Sequence, residues 1–484
     1  MPEWRWGREA CHGELVARRL QAVGLRGVSG KRFDAVVLGA GPAGEVATGI
    51  LVEAGLRVAL VERELVGGEC AYWACIPSKT LLRPPEARNE SARAAGVSTP
   101  ELDWPRVAAY RDWMIRDLDD SGAVAGYEER GVTVFKSAGK LAGANRVEVA
   151  GRVIETEHVI IATGSEPRIP SIEGLGEAGY WTNREATTLK EIPASAVFIG
   201  GGAVGVELGQ MLARFGSQVT VIEGAERLLS REDPEVGRLI GGQLEADGIK
   251  LALGRKATRV RVEGSERVVE LDDGSEVRGE VLVVSAGRTP RVEGLGLESV
   301  GIAVTAGAVP IDERCRVTDG VWAIGDATGV SLFTHVGKYQ ARVVTANILG
   351  EETVAGYRAV PRVVFSDPEV AAVGLTAEAA RAAGLRVAEV TLDLVDAIAR
   401  PYTYEENPRG WFGLVVDRDR DLLVGAWAVA PLAGEWIHQA VLAIRAEIPV
   451  AVLKDTIAQF PTFSEAYVSA LRKLPAASSD DERG

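Results

Sequence analysis

Ala35-Val36-Val37-Leu38-Gly39-Ala40-Gly41-Pro42-Ala43-Gly44 is the stretch on which the fold turns. A short apolar run reads as a strand. Three glycines at the spacing G-x-G-x-x-G follow at once, and then a helical pattern opened by Pro42. The reading is strand, tight turn, helix. In such a unit the first glycine permits the turn, the second lets a pyrophosphate approach the backbone, and the third lets helix and strand pack closely. Backbone N–H groups at the helix start then hold the anion.

The same design returns 161 positions on, counted from Gly39 to Gly200, where Ala196-Val197-Phe198-Ile199 leads into Gly200-Gly201-Gly202-Ala203-Val204-Gly205. Aligned without a gap, Gly55 meets Gly216, Val58 meets Val219 and Glu62 meets Glu223, so one helix length serves both units. Each glutamate stands 18 residues after its third glycine, where a carboxylate at the end of the next strand accepts hydrogen bonds from ribose hydroxyls. Two copies in full context predict two dinucleotides, and a flavin beside a nicotinamide is the combination between which hydride can pass. FAD is assigned to Gly39, Gly41, Gly44 and Glu62, and the nicotinamide to Gly200, Gly202, Gly205 and Glu223. The Glu223 carboxylate would repel the extra phosphate of NADP(H), which favours NAD(H); Arg227, four positions on, pulls the other way.

Between the two units, Gly67-Gly68-Glu69-Cys70-Ala71-Tyr72-Trp73-Ala74-Cys75-Ile76-Pro77-Ser78-Lys79 sets two thiols five residues apart, just ahead of a proline suited to a first helical turn. A regular helix rises about 7.5 Å over five residues, whereas a disulfide wants Cα atoms roughly 4.4–6.8 Å apart. The segment must therefore tighten locally or enter its helix only at Cys75. In the second case the helix N-terminus stabilises a thiolate there. The pair reads as redox-active rather than as a static crosslink, and no metal is expected, since no second Cys/His pair stands at zinc spacing. Cys11 and Cys315 stand alone and read as small buried or incidental residues.

The rest of the chain sets bounds. Its 484 residues suggest about three domains at roughly 100–200 residues each. A net charge of -14 with no basic stripe argues against nucleic acid and anionic membrane as partners, and no apolar run reaches the length of a span. A cytoplasmic chain is expected. Residues 1–31 form an extension in which Glu14 to Val23 reads as a short amphipathic helix, and the small polar residues after Pro475 form a tail. From about Val354 onward, β-rich text such as Phe412-Gly413-Leu414-Val415-Val416 alternates with helical text from Glu435 to Ala446, which predicts a separate α+β domain.

Taken in order, Gly39-x-Gly41-x-x-Gly44, the cysteine pair with Ile76-Pro77-Ser78-Lys79, Ala162-Thr163-Gly164, the second glycine loop and Gly325-Asp326 resemble the flavoprotein disulfide reductases, which include dihydrolipoamide dehydrogenase, glutathione reductase and mercuric reductase. The likeness runs from Phe33 to about Leu474. It implies an α/β fold with two Rossmann-like dinucleotide-binding domains, for FAD and NAD, plus a C-terminal α+β dimerisation domain and hence a homodimer. The boundaries are then 32–178 and 297–353 for the FAD domain, 179–296 for the NAD(P) domain and 354–475 for dimerisation, with 476–484 as the tail. The resemblance makes Cys75 the thiol beside the flavin and Cys70 the interchange thiol facing the substrate. It makes Lys79 and Glu207 a flavin-side ion pair and sets Asp326 on the FAD ribityl or pyrophosphate region. Gly68, Thr163, Gly164 and Gly325 join the FAD set, and Gly287 and Arg288 the nicotinamide set. Electrons are expected to run from NAD(P)H through FAD to Cys70-Cys75 and on to a small-molecule disulfide, quinone or similar acceptor.

One position departs from the family. Dihydrolipoamide dehydrogenases carry a C-terminal His-Pro-Thr segment whose histidine, held by a glutamate, is the acid-base partner of the interchange thiol. Here the text is Gln459-Phe460-Pro461-Thr462-Phe463-Ser464-Glu465, so the glutamate stays and phenylalanine replaces the histidine. A phenyl ring neither shuttles a proton nor stabilises a thiolate. That argues against lipoamide chemistry, unless Glu465, buried in an apolar wall with Phe460 and Phe463, serves as an acid with a raised pKa. His158, His335 and His438 each have an easier structural reading. A phenylalanine also occurs here in the ketopropyl-coenzyme M carboxylating reductase of the family, though there the glutamate is histidine. The C-terminal cysteine pair of mercuric reductases is missing from this sequence.

Overall fold

Ala35, Val36 and Val37 are fully buried because Arg32–Leu38 lies inside a parallel sheet, between Val58–Val61 and Arg152–Ile161. Successive side chains of a strand face opposite ways, so the unbroken apolar run serves two cores at once. Ala35 and Val37 pack with Ala47 and Leu51 of the helix Pro42–Glu53, while Val36 and Leu38 pack with Leu141, Val147 and Val149. The sheet continues to Thr133–Phe135 on one side. On the other it reaches Val321–Ala323 and then the antiparallel Arg316–Thr318.

A computed structural model describes residues 32–474. Cys11, the helix expected from Glu14 to Val23 and the tail after Pro475 lie outside them. The chain forms two compact units. The first comprises residues 32–68 with Asp119–Ser165 and Pro290–Ala355, and contains the sheet just described.

The second unit comprises Glu69–Leu118, Glu166–Thr289 and residues 356–474. Its parallel sheet has the order Lys250–Leu253, Gln218–Glu223, Ser195–Ile199, Val281–Val284, so Ser195–Ile199 holds the inner position that Arg32–Leu38 holds in the first unit. The repeat read from sequence is thus a repeat of sheet position as well as of text. The helix Ala203–Arg214 packs on this sheet through Val206, Leu208, Met211 and Leu212. A three-stranded antiparallel sheet (Ala257–Glu263, Glu266–Leu271, Glu276–Gly279) follows. From Pro361 a five-stranded antiparallel sheet takes over, with Trp411–Asp417 among its strands and the helices Ala433–Trp436 and His438–Arg445 against it.

Candidate active site

The two phosphate loops are built alike, and their glycines do different work. Gly39 has φ +106°, and a Cβ there would lie 2.3 Å from the Ala162 carbonyl oxygen. A Cβ on Gly44 would lie 1.9 Å from the Gly39 carbonyl oxygen, closer than any side chain allows. Gly200 and Gly205 repeat this, with clashes at 2.5 Å on Ser285 O and 2.1 Å on Gly200 O. Gly41 and Gly202, by contrast, face open space, with nothing within 4 Å of a built Cβ. Each is the N-cap of its helix, and neither cap receives a side-chain hydrogen bond. First and third glycines are therefore fixed by packing, and the second opens a cradle that a methyl group would fill, which fits a pyrophosphate at both loops.

Glu62 and Glu223 hold these loops in shape. Glu62 Oε2 accepts the Ala40 N–H at 2.8 Å, and Oε1 accepts that of Glu64 at 2.7 Å. Glu223 repeats the pattern with Gly201 at 2.6 Å and Ala225 at 2.8 Å. A carboxylate has about four acceptor sites, so two remain at each for ribose hydroxyls. The Arg227 guanidinium donates to Ser230 O at 3.1 Å. Gly68 belongs to the first loop, since a Cβ there would come within 2.7 Å of Gly41 Cα. Around the same loop, Thr163 Oγ1 donates to Arg291 O at 2.7 Å and Gly164 takes φ +72°. Ser165 Oγ donates to Asp326 Oδ2 at 2.6 Å, and the Gly325 N–H is held by the buried Gln340.

The cysteine segment resolves the choice left by its spacing. A short helix, Gly68–Tyr72, carries Cys70; the chain breaks at Trp73 and Ala74 (φ -129°, ψ -96°); Cys75 then opens the helix Cys75–Arg93. Cys75 enters a helix of 19 residues at its first position, where the unpaired N–H groups favour a thiolate. That helix runs through Pro84 and Pro85 without ending.

The break is clamped from a second helix, Asn183–Thr188, whose own start is fixed by a capping box of Thr182 and Glu185. Asn183 Nδ2 and Thr187 Oγ1 donate to the Trp73 carbonyl at 2.7 and 3.1 Å. Arg184 lies 4.0 Å over the Trp73 ring and pairs with Glu69 at 2.7 Å. Burial alone would raise the Glu69 pKa, but the Arg184 hydrogen bond and the charges of Arg288 and Arg184 hold it below the usual carboxylate value. Arg288 thus serves the cysteine turn, with Asn183 Oδ1 at 3.3 Å and Glu69 at 3.8 Å. Glu69, Trp73, Asn183 and Arg184 carry no motif of their own. The one available signal was the Thr-Asn-Arg-Glu capping pattern at 182–185.

Lys79, one turn past Cys75, donates to Glu207 Oε2 at 2.7 Å, as the resemblance implies. Glu207 is 6% exposed, and its other oxygen accepts the Phe365 N–H at 2.9 Å. The Lys79 ammonium also lies 4.6 Å from the Phe365 ring centre.

The C-terminal segment differs from the apolar wall considered for Glu465. Phe463 is buried, but Phe460 is 75% exposed in the single chain, and Glu465 Oε2 accepts the Thr462 N–H at 3.2 Å. Glu465, the first residue of the helix Glu465–Lys473, therefore ties back to the turn before that helix. His158 lies within the strand Arg152–Ile161, with its pKa lowered by burial and the Trp322 indole N–H 3.4 Å from Nδ1. His335 stacks on Phe333 at 5.2 Å, and His438 opens a helix. Among the described residues no group of three or more His, Cys, Asp and Glu side chains is arranged to hold a metal, and no helix is long and apolar enough to cross a membrane.

Residues 33–346 match the family model described as pyridine nucleotide-disulphide oxidoreductase, and residues 360–471 match the dimerisation domain of the same family. The chain belongs to this family. Pyridine nucleotide-disulphide oxidoreductases are FAD-dependent enzymes that use NAD(P)H, and the two cradles fit those groups. A dihydrolipoyl dehydrogenase of Thermus scotoductus is 36% identical over 92% of this chain and 98% of its own length. A mercuric reductase of Bacillus cereus is 32% identical over 94% of this chain and 74% of its own. In solved structures, the HOCl-induced flavoprotein disulfide reductase RclA from Escherichia coli, as its Cu(II) complex, superposes with a TM-score of 0.82 at 28% identity, covering 91% of this chain and 99% of that one.

Proposed function

We propose that this oxidoreductase takes electrons from NADH and passes them through the Cys70-Cys75 pair to a disulfide or other small electrophilic acceptor. Bound FAD supplies two-electron exchange between a nicotinamide and a disulfide. Gly39, Gly41, Gly44, Glu62, Gly68, Thr163, Gly164, Gly325 and Asp326 hold the flavin, and Gly200, Gly202, Gly205, Glu223 and Gly287 hold the nicotinamide. The paired carboxylate at Glu223 favours NADH over NADPH. Cys75 is the thiol that exchanges electrons with the flavin, and Cys70 attacks the acceptor. Lys79 and Glu207 fix the charge beside the start of the cysteine helix, and Glu69, Asn183 and Arg184 hold the turn between the thiols. The FAD domain comprises 32–178 and 297–353, the NAD(P) domain 179–296, and residues 354–475 pair two copies as a homodimer in the cytoplasm.

The observation that carries this reading is the chain break between the cysteines, which starts a long helix at Cys75 itself. Phe460, where lipoamide chemistry calls for a histidine, argues against lipoamide as the acceptor. Replacing Cys75 by serine tests the route. Under anaerobic conditions NADH should still bleach the flavin absorbance, while reduction of a panel of low-molecular-weight disulfides, quinones and metal ions is lost. Undiminished turnover with the best acceptor would sink the dithiol route and leave a quinone- or dye-type reductase.

A further inference from the structure

A cavity of about 170 Å³ lies in the second unit, walled by Lys79, Leu82, Arg83 and Glu86 of the cysteine helix and by Phe365, Ser366 and Glu369. It has room for roughly five waters at about 30 Å³ each, and Lys79, Arg83, Glu86, Ser366 and Glu369 offer polar partners within a lining that is otherwise apolar. Two of its wall residues differ in kind. Lys79 is paired with Glu207 and stands four residues past Cys75. Side chains so spaced on a helix are neighbours, with Cβ atoms about 5–6 Å apart. Glu369 is the first residue of the strand Glu369–Gly374, and its Oε2 accepts the Gly434 N–H at 2.8 Å.

We propose, resting on the reading above, that this cavity stores the proton that the redox pair requires, with Glu369 as the storage residue in place of the missing histidine. A hydride donor breaks the Cys70-Cys75 bond by delivering two electrons and one proton, which leaves one thiol and one thiolate. Completing the dithiol takes a second proton. Glu369 in its acid form releases that proton into the cavity water, which carries it to the Lys79 end of the cysteine helix, and solvent reloads the carboxylate. Every surrounding charge bears on whether Glu369 can do this. Burial pushes its pKa up to about 7, the Gly434 N–H lowers it, and the negative charges of Glu86, Glu435 and Asp367 raise it further. Lys79 and Arg83 are the cations of the wall, and each has a carboxylate partner, Glu207 for the first and Glu86 with Glu90 for the second. Glu86 is itself raised by burial.

The test uses the flavin-loaded full chain and the substitutions Glu369→Gln and Glu86→Gln. In the resting protein, infrared difference spectra should show a carboxylic-acid C=O band that titrates near pH 7 and is absent in Glu369→Gln. In Glu86→Gln the midpoint should move to lower pH, because a repelling charge is gone. Rapid mixing with NADH under anaerobic conditions, in weak buffer with an indicator dye at pH 6, should show proton uptake lagging dithiol formation in the unaltered protein and keeping pace with it in Glu369→Gln, with equal final uptake in both. Identical uptake kinetics and an unchanged carboxyl band would overturn the storage role while leaving the dithiol route intact. Failure of NADH to reduce the cysteines of the unaltered protein would overturn both.

Discussion

Lys79 Nζ lies 2.7 Å from Glu207 Oε2, while Glu207 Oε1 accepts the Phe365 N–H at 2.9 Å, so one buried carboxylate joins the cysteine helix to the chain that leads into the C-terminal sheet. Removing one partner of a buried pair leaves the other uncompensated. Lys79 keeps 35% of its side chain exposed, which discounts the penalty. Glu207→Ala should cost about 1–3 kcal/mol in urea unfolding. Glu207→Gln, which still accepts the Phe365 N–H, should cost less.

Gly41 and Gly44 should respond oppositely to the same methyl group. Gly44→Ala drives a Cβ to within 1.9 Å of Gly39 O and should destabilise by at least about 2 kcal/mol. Gly41→Ala has open space and should keep the unfolding midpoint of the flavin-free protein, yet lose visible flavin absorbance per chain. Full flavin content in Gly41→Ala would mean that no pyrophosphate approaches that residue.

Glu69 gives a pH dependence. Its folded pKa lies below the ordinary 4.5, so its ion pairs stabilise the fold above that pH and lose this effect as pH falls through the folded value. Glu69→Gln should therefore be less stable than the unaltered chain at pH 7, by about 1–3 kcal/mol, with the gap closing on acidification below pH 4.5. A gap unchanged down to low pH would rule out the charge as its source.

Glu369 has the opposite sign. With a folded pKa of about 7 against 4.5 unfolded, the carboxyl costs stability progressively as pH rises between those values, and the cost is constant above them. Glu369→Gln should be more stable than the unaltered chain at pH 8, by roughly 3 kcal/mol, and equal to it near pH 4. Thermal unfolding at the two pH values reads this directly.

Phe460→His should raise lipoamide turnover, since an imidazole restores a group that shuttles protons near neutral pH. At 75% exposure the exchange should change stability by less than about 0.5 kcal/mol. An unchanged rate across the accessible pH range would count against this account of the position.

The sequence alone determined the elements whose physics is local. A run such as Ala35-Val36-Val37-Leu38 followed by Gly39, Gly41 and Gly44 has few backbone solutions, because the turn and the close helix contact exclude side chains, and the same text at Gly200 gave the second loop. The entry of Cys75 at a helix start was one of two options left by its spacing, and local sterics could not choose between them. Tertiary structure chose, through Asn183 and Arg184, which lie more than a hundred positions from the Glu69 and Trp73 that they hold and meet them only after folding. The same holds for Glu369, whose raised pKa comes chiefly from burial and from the distant Glu86 and Glu435, with a smaller part from nearby Asp367. Hydrogen-bonded turns and glycine contacts are written in a short stretch of text; desolvation and long-range charge depend on which distant segments pack together.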